Sequence, residues 1–477
     1  MIRGLEFERL RGEKQNNISF FFTSLPLDLL PPSSYSSYCA IILPMKYTRQ
    51  RGTKDILPGE ISTWQFLEEK ARSVFGNFNY AEIRTPIFEQ TELFMRSIGE
   101  DTDIVGKEMY TFTDKGERSI TLRPEETAPV VRAAIENNLF GRNDLVKLYY
   151  IGPMFRYERP QAGRSRQFHQ AGVEVFGSSD PLIDVEVIEL GLRYFVEIGL
   201  KALEVDVNSV GCKKCRPKYK EELMKYFKES SGEMCDTCRS RLEKNPLRIL
   251  DCKEQKCQKL IEGAPSTTDF LCEECGTHFD KVKSYLNRYG ISYKLNKRLV
   301  RGLDYYTKTT FEIISGSLGA QNAVCGGGRY DTLVQEMGGK ETPSIGFAIG
   351  LDRLVLVLED QKINVPQGSR LQVYIITLGD AARQKGFEVL RNLRNMGISS
   401  DMDYQSRSLN SQLKTADHLK AQYAVIIGDD ELKNEIALIR NMDDKTQEKA
   451  KFKHIYTLIK SKDYITQEKV KFEDKPV

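Results

Sequence analysis

The sequence lacks any run of about 18 apolar residues, so no segment reads as a membrane span. It also lacks a dominant charge sign. Seventy Lys and Arg stand against 67 Asp and Glu, leaving a formal net charge of +3. That balance argues neither for nor against a nucleic-acid partner. A convincing secretory signal is lacking too: Pro26, Asp28 and the Pro31-Pro32 pair interrupt the apolar stretch near the start, which makes a signal peptide a weak reading. Glu6, Glu8, Glu13 and Asp28 are too many acids for a transit peptide. No internal repeat occurs. What is present is an ordinary globular composition over 477 residues, room for roughly two to three domains. Eight of the ten cysteines crowd between Cys212 and Cys275. In a long chain with no convincing secretory signal, that points to metal or reduced thiols before disulfides.

Residues 1–44 differ in composition from the rest of the chain, mixing charges with the stretch SFFFTSLPLDLLPPSS. They read as a disordered tail or an upstream start, with a targeting segment as the weaker reading. They are expected to add nothing to activity or stability. From Glu60 to Phe78, Ile61, Trp64, Leu67, Ala71, Val74, Phe75 and Phe78 keep a helical period. Short strands are expected at Tyr80–Arg84 and 119–124, a helix over Glu125–Asn137 with acids in its first turn, and a helix over 180–200. Strands are expected at Leu299–Asp304 and Thr309–Ile314. Gly326, Gly327 and Gly328 are read as a turn, followed by a strand and helix in SIGFAIGLDRLVLVLE. Beyond Pro366, strands alternate with helices, which implies an α/β unit with a largely parallel sheet.

The stretch FRYERPQAGRSRQFHQAGVEVFG, from Phe155 to Gly177, is unusual for a buried hairpin. Strands are expected over Leu145–Arg159 and Gln167–Phe176. Side chains alternate between faces, so Gln170 and Glu174 share a face with Phe168 and Phe176. A loop centred near Gly163 would set Arg156 opposite Gln170. Fixed charges beside aromatics suit a ligand floor better than a solvated surface.

This stretch closely resembles the motif-two hairpin of bacterial-type histidyl-tRNA synthetases, members of the class II aminoacyl-tRNA synthetases. RGTKDILP, TLRPEETAPVVRA, RGLDYYTKTTFE, GGGRYD and SIGFAIGLDRL resemble further motifs of that family, in order. The resemblance runs from about Met45 to the end. It implies an α+β fold: a class II antiparallel-sheet catalytic core with a helical cysteine-rich insertion, plus a C-terminal α/β anticodon-binding domain. The boundaries expected are 1–44 for the extension, 45–366 for the catalytic domain with an insertion at about 211–295, and 367–477 for the anticodon-binding domain.

The resemblance implies an ATP-dependent ligase that activates histidine as histidyl-adenylate and transfers it to tRNA(His). Joining a carboxylate to a triphosphate calls for cations fixed in advance, and arginine suits that work. Arg156 and Arg301 are then the catalytic cations at the α-phosphate. ATP, taken with magnesium, would be held by Arg156, Glu158, Arg301 and Arg353. Histidine would be held by Glu125, Glu126, Thr127, Gln170, Glu174, Tyr305, Tyr306 and Tyr330. The family often has glycine where Glu126 stands, and its side chain is expected to point outward. Gln161, Arg164 and Arg166 would reach toward the tRNA. A cytoplasmic homodimer without membrane attachment is implied. The alternative reading is a non-catalytic histidine-binding regulatory relative in histidine biosynthesis; the C-terminal domain and the arginines argue against it.

Cys212-x-x-Cys215 followed by Cys235-x-x-Cys238 fits a four-thiolate zinc site. Cys252, Cys257, Cys272 and Cys275 could form a second, or the two sets could interleave. Structural zinc and free thiols both remain open. Zinc there is expected to serve folding and tRNA docking and to leave adenylate chemistry alone.

Overall fold

The computed structural model describes residues 47–461, apart from 100, 101, 103, 142–144, 317–322 and 367–369. The reading of residues 1–44 falls outside the described residues. An eight-stranded sheet forms the main framework. Its order is Ala81–Glu82, Val146–Phe155, Gln167–Phe176, Ser344–Gly350, Ala323–Arg329, Thr307–Ser315, Leu203–Ser209 and Lys294–Leu295. Only the outermost pair at each edge is parallel; the rest is antiparallel.

Strand alternation gives this sheet two different faces. Val173, Val175, Phe347, Phe311 and Ile313 lie on the apolar face, in the main core. The helix Ile61–Asn77 covers that face because Trp64, Leu67, Ala71, Val74 and Phe75 fall on one stripe. The helix Pro181–Glu197 joins it. Its start is fixed by Pro181 in the first turn and by Asp180, whose carboxylate accepts from the Leu182 amide at 2.9 Å. Alternate residues, Gln170, Glu174, Gly346 and Gly350 among them, face the opposite way.

Several expectations change here. The hairpin pairs Phe155 with Gln167 and Gly152 with Gln170, and the Arg156 amide donates to Arg166 O at 2.9 Å. The strand register is therefore centred on residue 161, and Arg156 lies opposite Arg166, not Gln170. The tip itself turns at Ala162-Gly163, since Gln161 and Arg164 bond each other's backbones and Gly163 has a φ of 70°; the register slips between this tip and the ladder. Gly326, Gly327 and Gly328 are not a turn but lie inside the strand Ala323–Arg329. A side chain on Gly327 would come within 2.4 Å of the Gly346 carbonyl. The segment Leu299–Asp304 is not a strand; it has no ladder partner and is held largely by side chains, with single backbone bonds from the Asp304 amide to Ile98 O and the Leu299 amide to Asn296 O.

The cysteine-rich segment forms a small helical core of its own around Tyr219, Leu223, Phe227, Leu242, Ile249 and Ile261. Helix Glu273–Arg288, at its far end, packs into the main core through Phe279, Val282 and Leu286.

The C-terminal sheet runs Ser400–Met402, Val373–Thr377, Tyr423–Ile427, Ile436–Asn441, Gln447–Lys451. The first three strands are parallel, as the alternation of strands and helices predicts. The last two run antiparallel, so the sheet is mixed. The edge strand Gln447–Lys451 buries only Ala450, the charged pattern of a protected edge.

Candidate active site

The polar face of the main sheet floors a cavity of about 390 Å³. Glu174 stands at its inner end, 1 % exposed. Its strand neighbour is Gly346, and a Cβ there would lie 2.0 Å from the Glu174 carboxylate. Only glycine lets the carboxylate lie across that strand. Thr127 Oγ1 donates to Glu174 Oε1 at 2.7 Å, and the Tyr330 hydroxyl donates to Oε2. Those two bonds favour the carboxylate form. Burial outweighs them, and with the nearby charges of Glu125 and Glu126 the pKa is pushed up to about 8.

Thr127 is placed by the helix Thr127–Glu136. Glu125 sits just before that helix and accepts from the Thr127 and Ala128 amides at 2.7 and 3.0 Å. This is the capping role that acids take at a helix start. Tyr305 completes the wall, its ring centroid 4.7 Å from that of Tyr306 and 5.6 Å from that of Tyr330. Gln170 Oε1 also faces the cavity and has no hydrogen-bond partner among the described residues. The inner end is thus an aromatic pocket with a carboxylate able to gain or lose a proton near neutrality.

The outer end is cationic. Arg156 Nε donates to Pro124 O at 2.8 Å, and its guanidinium lies 5.2 Å from the Phe168 ring centroid. Arg301 is paired with Glu312. A Cβ on Gly326 would lie 2.2 Å from the Arg301 guanidinium, which explains a glycine inside that strand. Arg353 donates to Ala323 O at 2.9 Å. Arg164 meets Glu158 at 3.3 Å. Fixed arginines with carboxylates among them suit a polyphosphate and its metal.

One cavity therefore gathers Glu125, Thr127, Arg156, Glu158, Arg164, Gln170, Glu174, Arg301, Tyr305, Tyr306, Tyr330 and Arg353. Gln161 and Arg166 lie outside its lining. Gln161 is exposed in the hairpin loop, and the Arg166 guanidinium stacks 3.8 Å from the Tyr157 ring centroid. Glu126 departs from expectation. It neither points outward nor lines the cavity; it is 1 % exposed and pairs with Arg123 at 2.7 Å and Thr85 at 2.7 Å. Helix geometry turns its side chain away from that of Glu125, and a buried carboxylate needs the partner that Arg123 supplies. Glu108, Tyr150, Arg248 and Glu312 also line the cavity. Glu312 ends the motif RGLDYYTKTTFE and could have been found by its charge; Arg248, in a charged helical segment, carries no such signal.

The eight thiols between Cys212 and Cys275 form two groups. Cys212, Cys215, Cys272 and Cys275 have their sulfurs within 4.8 Å of one another, as do Cys235, Cys238, Cys252 and Cys257. The arrangement is nested: the first pair joins the last, and the four between them form the inner set. The pairing of Cys212/Cys215 with Cys235/Cys238 is not what forms.

An antiparallel sheet carrying this arginine-lined cavity, followed by a separate small α/β sheet, is a class II aminoacyl-tRNA synthetase core with an anticodon-binding domain. The histidyl-tRNA synthetase family profile matches residues 52–354, and an anticodon binding domain profile matches 372–462. The chain belongs to the histidyl-tRNA synthetase family. It is 53 % identical over 411 residues to a histidine–tRNA ligase of Desulforamulus reducens, covering 86 % of this chain and 98 % of that one. Identity is also 53 %, over 407 residues, to the histidine–tRNA ligase of Pelotomaculum thermopropionicum, covering 85 % and 96 %. Apo histidyl-tRNA synthetase of S. aureus superposes with a TM-score of 0.74 at 40 % identity, covering 87 % of this chain and 100 % of that one.

Proposed function

We propose that this chain activates histidine with ATP and transfers it to tRNA(His). The observation that carries the reading is a single cavity with a buried, tyrosine-held Glu174 at one end and Arg156, Arg301 and Arg353 at the other. The imidazole of histidine meets Glu174 and Tyr306, with Tyr305 and Tyr330 beside it. Its ammonium group meets Glu125, Thr127 and Gln170. Its carboxylate then points toward the arginines. Arg156 and Arg301 stabilise charge at the α-phosphate, and Arg353 holds the far end of the triphosphate. Glu158 and Glu312 stand among those arginines, an oxygen donor set that fits magnesium held partly by phosphates. Glu126 serves by fixing Arg123 and the start of the helix rather than by touching substrate.

Residues 45–366 form the catalytic domain with its insertion at about 211–295, and 367–477 the anticodon-binding domain. Gln161, Arg164 and Arg166, on the hairpin loop and its edge, serve the tRNA acceptor end. Among the described residues no helix is long and apolar enough to cross a membrane. The working form is a cytoplasmic homodimer; exposed Ile87, Phe88 and Phe112 support a subunit contact. The regulatory alternative is not favoured, because the arginine wall and the C-terminal sheet are both present. Charging of unfractionated tRNA with labelled histidine tests the reading. A regulator would give no acid-precipitable histidine.

The insertion carries structural zinc. Eight thiols in two close sets of four fit tetrahedral thiolate coordination. Elemental analysis of the chain purified without chelator is expected to find up to two zinc ions. Cys212→Ser with Cys215→Ser should release one and leave the inner set loaded. No zinc above background would mean that the thiols are free.

A further inference from the structure

The segment RGLDYY, Arg301 to Tyr306, carries Arg301, Tyr305 and Tyr306 into the cavity yet has no strand partner. Its backbone groups must therefore be satisfied by other means. The cysteine-rich insertion supplies much of this. Arg248 donates to Gly302 O. Arg216 donates to Asp304 O at 3.4 Å and to Tyr306 O. Three alternate carbonyls of one loop are thus held by two arginines of the insertion. The Asp304 side chain adds to this: Asn245 Nδ2 lies 3.3 Å from both carboxylate oxygens, and Arg248 Nε lies 3.7 Å from one of them. Just before the loop, Val300 is buried in the insertion's own core.

The holding residues sit at the thiol sets. Arg216 directly follows Cys215 of the outer set. Asn245 and Arg248 lie between Cys238 and Cys252 of the inner set. The segment that presents Arg248, Pro246–Asp251, is a short 3-10 turn, and such short pieces have little stability of their own. Thiolate–metal bonds on both flanks would pin it.

We infer that the insertion is a metal-dependent brace on the RGLDYY loop, with Arg216 and Arg248 as positioning residues for adenylate formation. This rests on the zinc and ligase readings above. It replaces the expectation that metal leaves adenylate chemistry alone. Arg248 acts through Arg301, and a shift of about 1 Å in a catalytic group costs on the order of a hundredfold in rate.

The test uses the full chain with its metal as purified. Arg248→Ala, Arg248→Lys, Cys252→Ser and the Arg248→Ala/Cys252→Ser pair are compared with the unaltered chain. The readouts are histidine-dependent pyrophosphate exchange, zinc content, melting temperature and amide hydrogen exchange over residues 301–306. Arg248→Ala is expected to lower kcat about ten- to a hundredfold, with KM for ATP little changed and zinc content intact. Arg248→Lys should recover part of the loss. Cys252→Ser should lose one zinc and show a similar fall in kcat, and in the paired variant the two losses should not multiply. Amides of the loop should exchange faster in both single variants, a readout that does not need activity. Unchanged loop exchange in Arg248→Ala overturns the brace; if that variant does not fold, unaltered kcat and exchange in Arg248→Lys with Asn245→Ala does the same. Losses that multiply overturn the link to metal. A chain without zinc fails the zinc reading alone, and one without pyrophosphate exchange fails the ligase reading alone; loop exchange still decides the brace.

Discussion

Arg301→Ala is expected to lower histidyl-adenylate formation by about two to three orders of magnitude, the loss typical of one removed oxyanion stabiliser. Arg301 is held by Glu312 and lies over the strand at Gly326, where no larger residue would fit. Its guanidinium is therefore fixed before substrate arrives. The histidine contacts proposed above are concentrated at the other end of the cavity, around Glu174. Histidine binding measured by calorimetry should thus change little, while single-turnover adenylate formation collapses. Near-normal turnover would remove Arg301 from the chemistry. A comparable loss in histidine affinity would show instead that the variant has disturbed the adjoining Tyr305 and Tyr306.

The second large effect is a pH dependence. Free Glu174 has its pKa pushed up to about 8 by burial and the neighbouring acids, so the empty site holds a proton there at pH 7. A free imidazole titrates at about 6.5. In the proposed complex, carboxylate and ring share one proton. Between about 6.5 and 8, the enzyme brings that proton and histidine brings none in excess. Below that window, both partners are protonated and one proton must leave. Above it, neither is, and one must be taken up. A plot of kcat/KM for histidine should be a bell with limbs near these values. Glu174→Gln should abolish the upper limb and lower kcat/KM about ten- to a hundredfold, the range for a lost charge-assisted hydrogen bond. Persistence of the upper limb in Glu174→Gln would assign it to another group. Stability has its own sign. The folded chain holds this proton more tightly than the unfolded one, whose value is 4.5. Glu174 therefore makes the fold less stable as pH rises from about 4.5 through 8, with no further change outside that window.

Much of the site was legible because its chemistry is written in residue types that strands and helices rarely bury. Glu174 among aromatics, and arginines on a hairpin, require partners wherever they occur. Relative placement was harder. The glycine signal placed the hairpin tip at Ala162-Gly163 correctly, but the ladder below it is centred on residue 161, because an irregularity in the loop shifts the register between tip and strands. Gly326, Gly327 and Gly328 suggested a turn because close approach of Arg301 and of the Gly346 carbonyl cannot be seen in one strand's sequence. Leu299–Asp304 has a strand's composition, but the Gly302 and Asp304 carbonyls are satisfied by Arg248 and Arg216, and that of Leu299 by Asn208, all from far along the chain. Glu126 was misdirected for a similar reason: its partner, Arg123, lies three residues away across a bend before the helix. Cysteine spacing pointed to thiols gathered in sets of four, and two such sets form. It could not give the nested pairing, which depends on helix Glu273–Arg288 returning to the main core.

The central claim is that one cavity recognises histidine at Glu174 and activates it at the arginine wall. Exchange of labelled pyrophosphate into ATP, measured with each of the common amino acids in turn, tests it most directly. The account predicts exchange that depends on histidine and on no other amino acid. Exchange driven by a different amino acid, or none with histidine present, would contradict it.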